Sequence, residues 1–70
     1  MAEVTYNLAA IAEEKKVSLS EVARRVQASK SYLSYIARNR VHPSLYMLVQ
    51  IAEALEVPVE QLYTVRRSIS

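Results

Sequence analysis

No glycine occurs anywhere in this chain of 70 residues, and proline occurs twice. Tight hairpins between strands draw on glycine for backbone at positive φ, so a glycine-free chain is poorly equipped for an all-β fold. Ala, Leu, Glu, Lys, Arg and Gln dominate instead, and these side chains lose little freedom in a helix. The composition predicts an all-α fold of helices joined by short turns. A chain this short buries only about 60% of its unfolded surface, so its stability is modest and self-association would help it.

The same composition narrows the function classes. There is no Cys and a single His, which leaves neither disulfides nor a thiolate or multi-histidine metal site. With no Asp and no glycine-rich loop, little remains for catalysis. The serines have no base beside them in sequence, and helix capping explains several of them. The reading is therefore a non-enzyme with no cofactor and no metal. No apolar run approaches the ~20 residues that span a bilayer. Met1-Ala2-Glu3 begins neither with a basic segment nor with a long apolar stretch. A soluble, cytoplasmic protein is expected.

Apolar spacing and cap signals predict five helices. The first runs from about Val4 to Lys15, with Val4, Leu8, Ile11 and Lys15 on one face and Tyr6 near its edge. Ser18-Leu19-Ser20-Glu21 fits a capping box, with Val17 and Val22 as its hydrophobic staple. This second helix ends near Val26. After the turn Gln27-Ala28-Ser29, Ser29 caps a third helix from Lys30 to Arg38. Asn39 to Pro43 is a loop, because Pro43 disfavours helical backbone at His42. Ser44 caps a fourth helix, about Leu45 to Leu55, with Leu45, Leu48, Ile51, Ala52 and Leu55 as its buried stripe. Pro58 opens a short fifth helix through about Tyr63. Residues 1–64 read as one domain and 65–70 as a short tail.

Charge is distributed unevenly along these elements. Between Glu21 and Glu53 there is no acidic residue, while Arg24, Arg25, Lys30, Arg38 and Arg40 all fall there. The window carries +5 and the rest of the chain −3, which together make the net +2. Such a polarised molecule attracts a polyanion to one face. Within the window lie two short helices joined by a three-residue turn, and the second has small, polar outward residues. These are the parts of a helix-turn-helix, in which the second helix enters the major groove.

The residues from Leu8 to Tyr63 resemble the lambda-repressor-like (Cro and phage-repressor, XRE-type) helix-turn-helix family. The match runs through Ser18-Leu19-Ser20-Glu21-Val22-Ala23 and Ala28-Ser29-Lys30-Ser31-Tyr32-Leu33-Ser34-Tyr35-Ile36. It continues through Arg38-Asn39-Arg40, Pro43-Ser44-Leu45, Leu48 and Ile51-Ala52-Glu53-Ala54-Leu55, and closes on Val57 and Val59-Glu60-Gln61-Leu62-Tyr63. It covers about four-fifths of the chain without insertions. It implies a compact five-helix DNA-binding domain with its helix-turn-helix at about 18–38. Family members often place glycine where this chain has Lys16, Gln27, Asn39 and Glu56. If the turns are kept, several of these four residues should have positive φ, at roughly 1–2 kcal/mol each for all but Asn39. Many members pair an Arg in helix one with a Glu in helix three. Ala12 and Ala37 stand there instead, so the two alanines should pack near one another.

The resemblance implies that the start of helix three reads base edges. Lys30 could donate to guanine; Ser31 and Tyr35 are the next candidates, then Ser34 and Tyr32, although partial burial competes for Tyr32. Phosphate contacts are expected from Ser29, Arg38, Asn39, Arg40, His42 and Ser44, and from the Ser18 end of helix two. Because one short helix reads few base pairs, a homodimer is expected, with Pro58, Val59, Tyr63 and Val65 at its interface. The implied function is a sequence-specific double-stranded-DNA-binding regulator, a repressor first, of bacterial, phage or plasmid origin. Its control would act through concentration or through a protein partner (antagonist, toxin or RNA polymerase). The competing class is a protein-interaction module on the same fold, antitoxin-like or adaptor. The small or cationic outward residues of helix three weigh against it.

Overall fold

A computed structural model describes residues 2–67. The element order is β1 (Ala2–Tyr6), α1 (Leu8–Glu14), α2 (Leu19–Val26), α3 (Lys30–Ala37), α4 (Leu45–Leu55), a single 3-10 turn (Val59–Gln61) and β2 (Tyr63–Arg67). β1 and β2 form a two-stranded antiparallel sheet in the register Val4↔Val65 and Tyr6↔Tyr63. The described chain measures 42 × 20 × 20 Å.

Four helices and a small sheet replace the expected five-helix, all-α architecture. The first helix starts at Leu8 rather than Val4, and Val4-Thr5-Tyr6 is strand. The fifth helix shrinks to the 3-10 turn, and Tyr63 already belongs to β2. Val65 to Arg67, expected as tail, completes that strand; the remainder of the expected tail, 68–70, lies outside the described residues. The physical reason is composition at the two ends. Val4-Thr5-Tyr6 and Tyr63-Thr64-Val65 are β-branched and aromatic, and they suit a pleated pair once the fold brings them together. The hairpin argument from glycine did not apply, because these strands are joined through the whole domain and not by a tight turn. Asn7 separates β1 from α1. Its N–H donates to the Leu62 carbonyl at 2.8 Å, and its amide donates to the Gln61 carbonyl and the Thr64 hydroxyl.

Three helix starts are capped as the serines predict. Ser18, Ser29 and Ser44 have extended backbone, and each hydroxyl accepts from the N–H three residues on, at 3.1 Å. The reciprocal half of the capping box differs. Glu21 is held by Arg24 and by Arg25, the latter at 3.1 Å.

All four helices end in the same way. Lys16, Gln27, Asn39 and Glu56 have φ of 58°, 59°, 61° and 58°. Each N–H bonds back three residues, and the following N–H bonds back five: Val17 to Ala12, Ala28 to Ala23, Arg40 to Tyr35 and Val57 to Ala52, at 2.9–3.0 Å. This is the Schellman motif, which satisfies carbonyls that a helix end leaves open. The expected turn geometry is therefore present at every one of the four positions without a glycine.

The core contains Leu8, Val22, Leu33, Ile36, Ile51, Leu55 and Leu62, each at most 2% exposed. Among the described residues no polar or charged side chain is buried. Ala12 is in the core, Ala37 is half-buried against it, and α1 packs on α3. Two small apolar groups at these positions need no mutual neutralisation. Leu45 departs from the expected stripe. It is 69% exposed, beside Tyr46 at 71%, so the first turn of α4 leaves both side chains in solvent. Pro43, just before the Ser44 cap, is buried.

Candidate nucleic-acid interface

α2 and α3 pack together across Gln27-Ala28-Ser29, and α2 also packs on α4. Leu33 and Ile36 root α3 in the core, so its opposite face is forced outward. Arg25 strengthens this frame from behind: its guanidinium donates to the Ala54 carbonyl near the end of α4 at 2.9 Å while also holding Glu21. That explains one of the basic residues that charge alone could have assigned to a polyanion. Glu21 itself is held below the usual glutamate range, first by its hydrogen bond from Arg24 and then by the charges of Arg24 and Arg25.

The outward face of α3 is a shallow, solvent-open hollow of about 260 Å³ lined by Lys30, Ser31, Ser34, Tyr35 and Arg38. Four of the five expected base-reading residues are therefore together. Tyr32 is the one set apart, half-buried against the core. Tyr35 is 47% exposed, and Lys30, Ser31 and Arg38 are also exposed. Glu21 forms the ion pairs seen among the described residues, so Lys30, Arg38 and Arg40 keep their charge free of carboxylates there.

The expected phosphate-contacting residues divide into two kinds. Ser18, Ser29 and Ser44 use their hydroxyl oxygens as acceptors for helix caps, so each O–H joins the uncapped first-turn N–H groups as an anion donor. Asn39 and His42 are not simply solvated loop residues. The Asn39 side-chain oxygen accepts from the Tyr6 N–H at 2.6 Å, and His42 Nδ1 lies 2.9 Å from the Tyr6 hydroxyl. The Tyr6 and His42 rings meet edge to face, with centroids 5.7 Å apart. Tyr6 is 8% exposed, and its hydroxyl is pushed above the ordinary phenol value by burial and by nearby Tyr32. Sequence reasoning placed Tyr6 at a helix edge and missed this role. The signal was the alternation Val4-Thr5-Tyr6 facing its mirror Tyr63-Thr64-Val65.

The residues expected at a dimer interface fall in the 3-10 turn, just before it and in β2. Pro58 is exposed, Val59 is half-buried on the core, Tyr63 pairs with Tyr6, and Val65 is 45% exposed opposite Val4. Among the described residues there is no group of His, Cys, Asp or Glu able to hold a metal, and no helix is long and apolar enough to cross a membrane.

Capped α2, a short turn entered through left-handed Gln27 and an outward α3 together define a helix-turn-helix domain. Residues 8–62 match the family model described as Helix-turn-helix. The chain is 43% identical over 51 residues to the transcriptional regulator SinR of Bacillus subtilis, covering 71% of this chain and 46% of SinR. It is 36% identical over 59 residues to the immunity repressor of Bacillus phage phi105, covering 84% of this chain and 41% of that protein. The chain thus spans less than half the length of these curated relatives. Among solved structures, a Bacteroides fragilis protein assigned as DNA-binding superposes with a TM-score of 0.85 at 29% identity, covering 89% of this chain and all of that one. SinR solved in complex with DNA superposes with a TM-score of 0.70 at 38% identity, covering 77% of this chain and 87% of that one. The chain belongs to the lambda-repressor-like, XRE-type helix-turn-helix family.

Proposed function

We propose that this protein is a sequence-specific double-stranded-DNA-binding transcriptional regulator. It acts as a repressor, working as a homodimer on an inverted-repeat operator in the bacterial cytoplasm. The observation that carries this reading is the face of α3. Lys30, Ser31, Ser34, Tyr35 and Arg38 form one open surface on a helix that the core holds rigidly, and α3 has no acidic residue. A duplex needs such a face: small donors and cations that approach base edges, and no carboxylate against phosphate. Lys30 donates to guanine, Ser31 and Tyr35 touch neighbouring base edges or a thymine methyl, and Ser34 supports them. Tyr32 contributes through packing. Arg38, Arg40 and the first-turn N–H groups after Ser18, Ser29 and Ser44 clamp the backbone. The names of its relatives, a regulator, an immunity repressor and a DNA-bound regulator, support the same reading.

A dimer through Pro58, Val59, Tyr63 and Val65 sets two copies of α3 in successive major grooves, about 34–36 Å apart. In vitro selection from random duplexes at physiological salt tests the proposal. Recovery of an inverted repeat with half-sites about one helical turn apart supports it. Salt-sensitive binding without sequence preference refutes the operator-specific role. Absence of binding refutes DNA recognition altogether and moves the chain to the protein-interaction class.

A further inference from the structure

Tyr6 makes two hydrogen bonds outside its own sheet, and both go to the loop between α3 and α4. Each partner side chain is two-faced. An Asn amide has an acceptor oxygen at one corner and a donor NH₂ at the other. A neutral imidazole has one acceptor nitrogen and one N–H, and either nitrogen can play either part. A free amide can turn either corner to solvent, and a free neutral imidazole is a mixture of both tautomers with the Nε2–H form the major one.

Tyr6 removes that freedom. A backbone N–H can only donate, so the 2.6 Å contact requires the Asn39 oxygen to face Tyr6 and sends the NH₂ away from it. The 2.9 Å contact to His42 Nδ1 has no direction of its own, but a phenol is a better donor than acceptor, which favours Nδ1 as the acceptor. The proton of the neutral ring then sits on Nε2. Tyr6 is buried whereas Asn39 and His42 are exposed, so the inner ends of both side chains are spent and the outer ends are free. Burial of Tyr6 holds its phenol protonated, as the donor role requires. Asn39 and His42 flank the cation Arg40 and precede the first turn of α4.

We infer that Tyr6 is a positioning residue that turns Asn39 and His42 donor-outward, giving the α3–α4 loop two neutral N–H donors for phosphate oxygens beside Arg40. The inference rests on the DNA-binding reading above for its ligand, but not for the side-chain orientation. It assigns β1 a part in recognition although the strand is far in sequence from the helix-turn-helix. It also separates two kinds of phosphate contact. Arg40 attracts through charge and is weakened by salt, whereas the paired N–H donors act through direction and distance.

The single histidine makes the test clean. Nitrogen-15 NMR of free protein at about pH 8.5, above the ordinary imidazole range, reads the His42 tautomer directly. Protonated Nε2 with bare Nδ1 is expected, and Tyr6→Phe should give a mixture while keeping the ring packing and the backbone bond to Asn39. A wild-type ring protonated on Nδ1, or averaging freely, overturns the orientation. In binding to the selected operator duplex, Tyr6→Phe should lose roughly three- to tenfold in affinity with sequence preference unchanged. The same change in a His42→Ala background should lose nothing further. His42→Gln, which places an NH₂ near the Nε2 position, should retain more affinity than His42→Ala. An equal Tyr6→Phe loss in both backgrounds overturns the positioning role. A wild-type protein that binds no duplex overturns the phosphate role along with the DNA-binding reading, and the NMR spectrum alone then decides the tautomer.

Discussion

The four left-handed helix ends make a quantitative prediction about stability. Lys16, Gln27 and Glu56 sit at φ of 58–59°, where a side chain's Cβ crowds the carbonyl oxygen at roughly 1–2 kcal/mol per residue. Glycine removes that crowding, but it adds freedom to the unfolded chain worth about 0.5–1 kcal/mol. Each substitution Lys16→Gly, Gln27→Gly or Glu56→Gly should therefore stabilise by about 0.5–1 kcal/mol. Combined, the three should add roughly 1.5–3 kcal/mol, and each 1 kcal/mol shifts Tm by about 4–8 °C in a domain of this size. Asn39→Gly should gain less, because Asn tolerates this conformation and its side chain bonds to Tyr6. Urea and thermal unfolding measure these changes, with Ala10→Gly on the exposed face of α1 as the control, expected to destabilise by about 1 kcal/mol. Destabilisation by glycine at Lys16, Gln27 and Glu56, equal to that at Ala10, would show that these helix ends are not left-handed in solution.

Other outcomes follow from the same geometry. Lys30→Ala should weaken operator binding and relax the base preference, whereas Arg40→Ala should weaken binding to every duplex and reduce the salt slope by about one. Selection on both variants separates the two roles, and identical changes in preference would contradict the division. Glu21 is held below the ordinary glutamate value in the folded state, so the stability it adds is complete above the unfolded value and disappears as pH falls through the lowered one. Acid unfolding of Glu21→Gln should therefore show a shallower loss of stability on the acid side than wild type, and an unchanged slope would remove Glu21 from that transition. Leu62, 1% exposed, joins the sheet end to the helical core. Leu62→Ala should cost about 2–5 kcal/mol by urea unfolding, and a cost below 1 kcal/mol would mean that the sheet end docks without it.

The helical frame and the outward face of α3 were legible in the sequence because their signals are local. A serine cap, an apolar spacing of three and four, and an acid-free run act within a few residues, so Ser18, Ser29 and Ser44 and the outward set Lys30, Ser31, Ser34 and Tyr35 could be placed directly. The left-handed ends at Lys16, Gln27, Asn39 and Glu56 could be anticipated from the family resemblance, since members often place glycine there, and not from any local signal in this chain. The sheet could not be placed this way. Val4-Thr5-Tyr6 can continue a helical stripe or form a strand, and the choice depends on Tyr63-Thr64-Val65, about sixty residues away. Leu45, expected in the buried stripe of α4, is exposed for a similar reason, since tertiary packing decides which helix residues are covered. The link from Tyr6 to Asn39 and His42 joins residues 33 and 36 positions apart. No local pattern encodes such a bond; only the folded chain brings a strand's N–H and hydroxyl to the loop after α3.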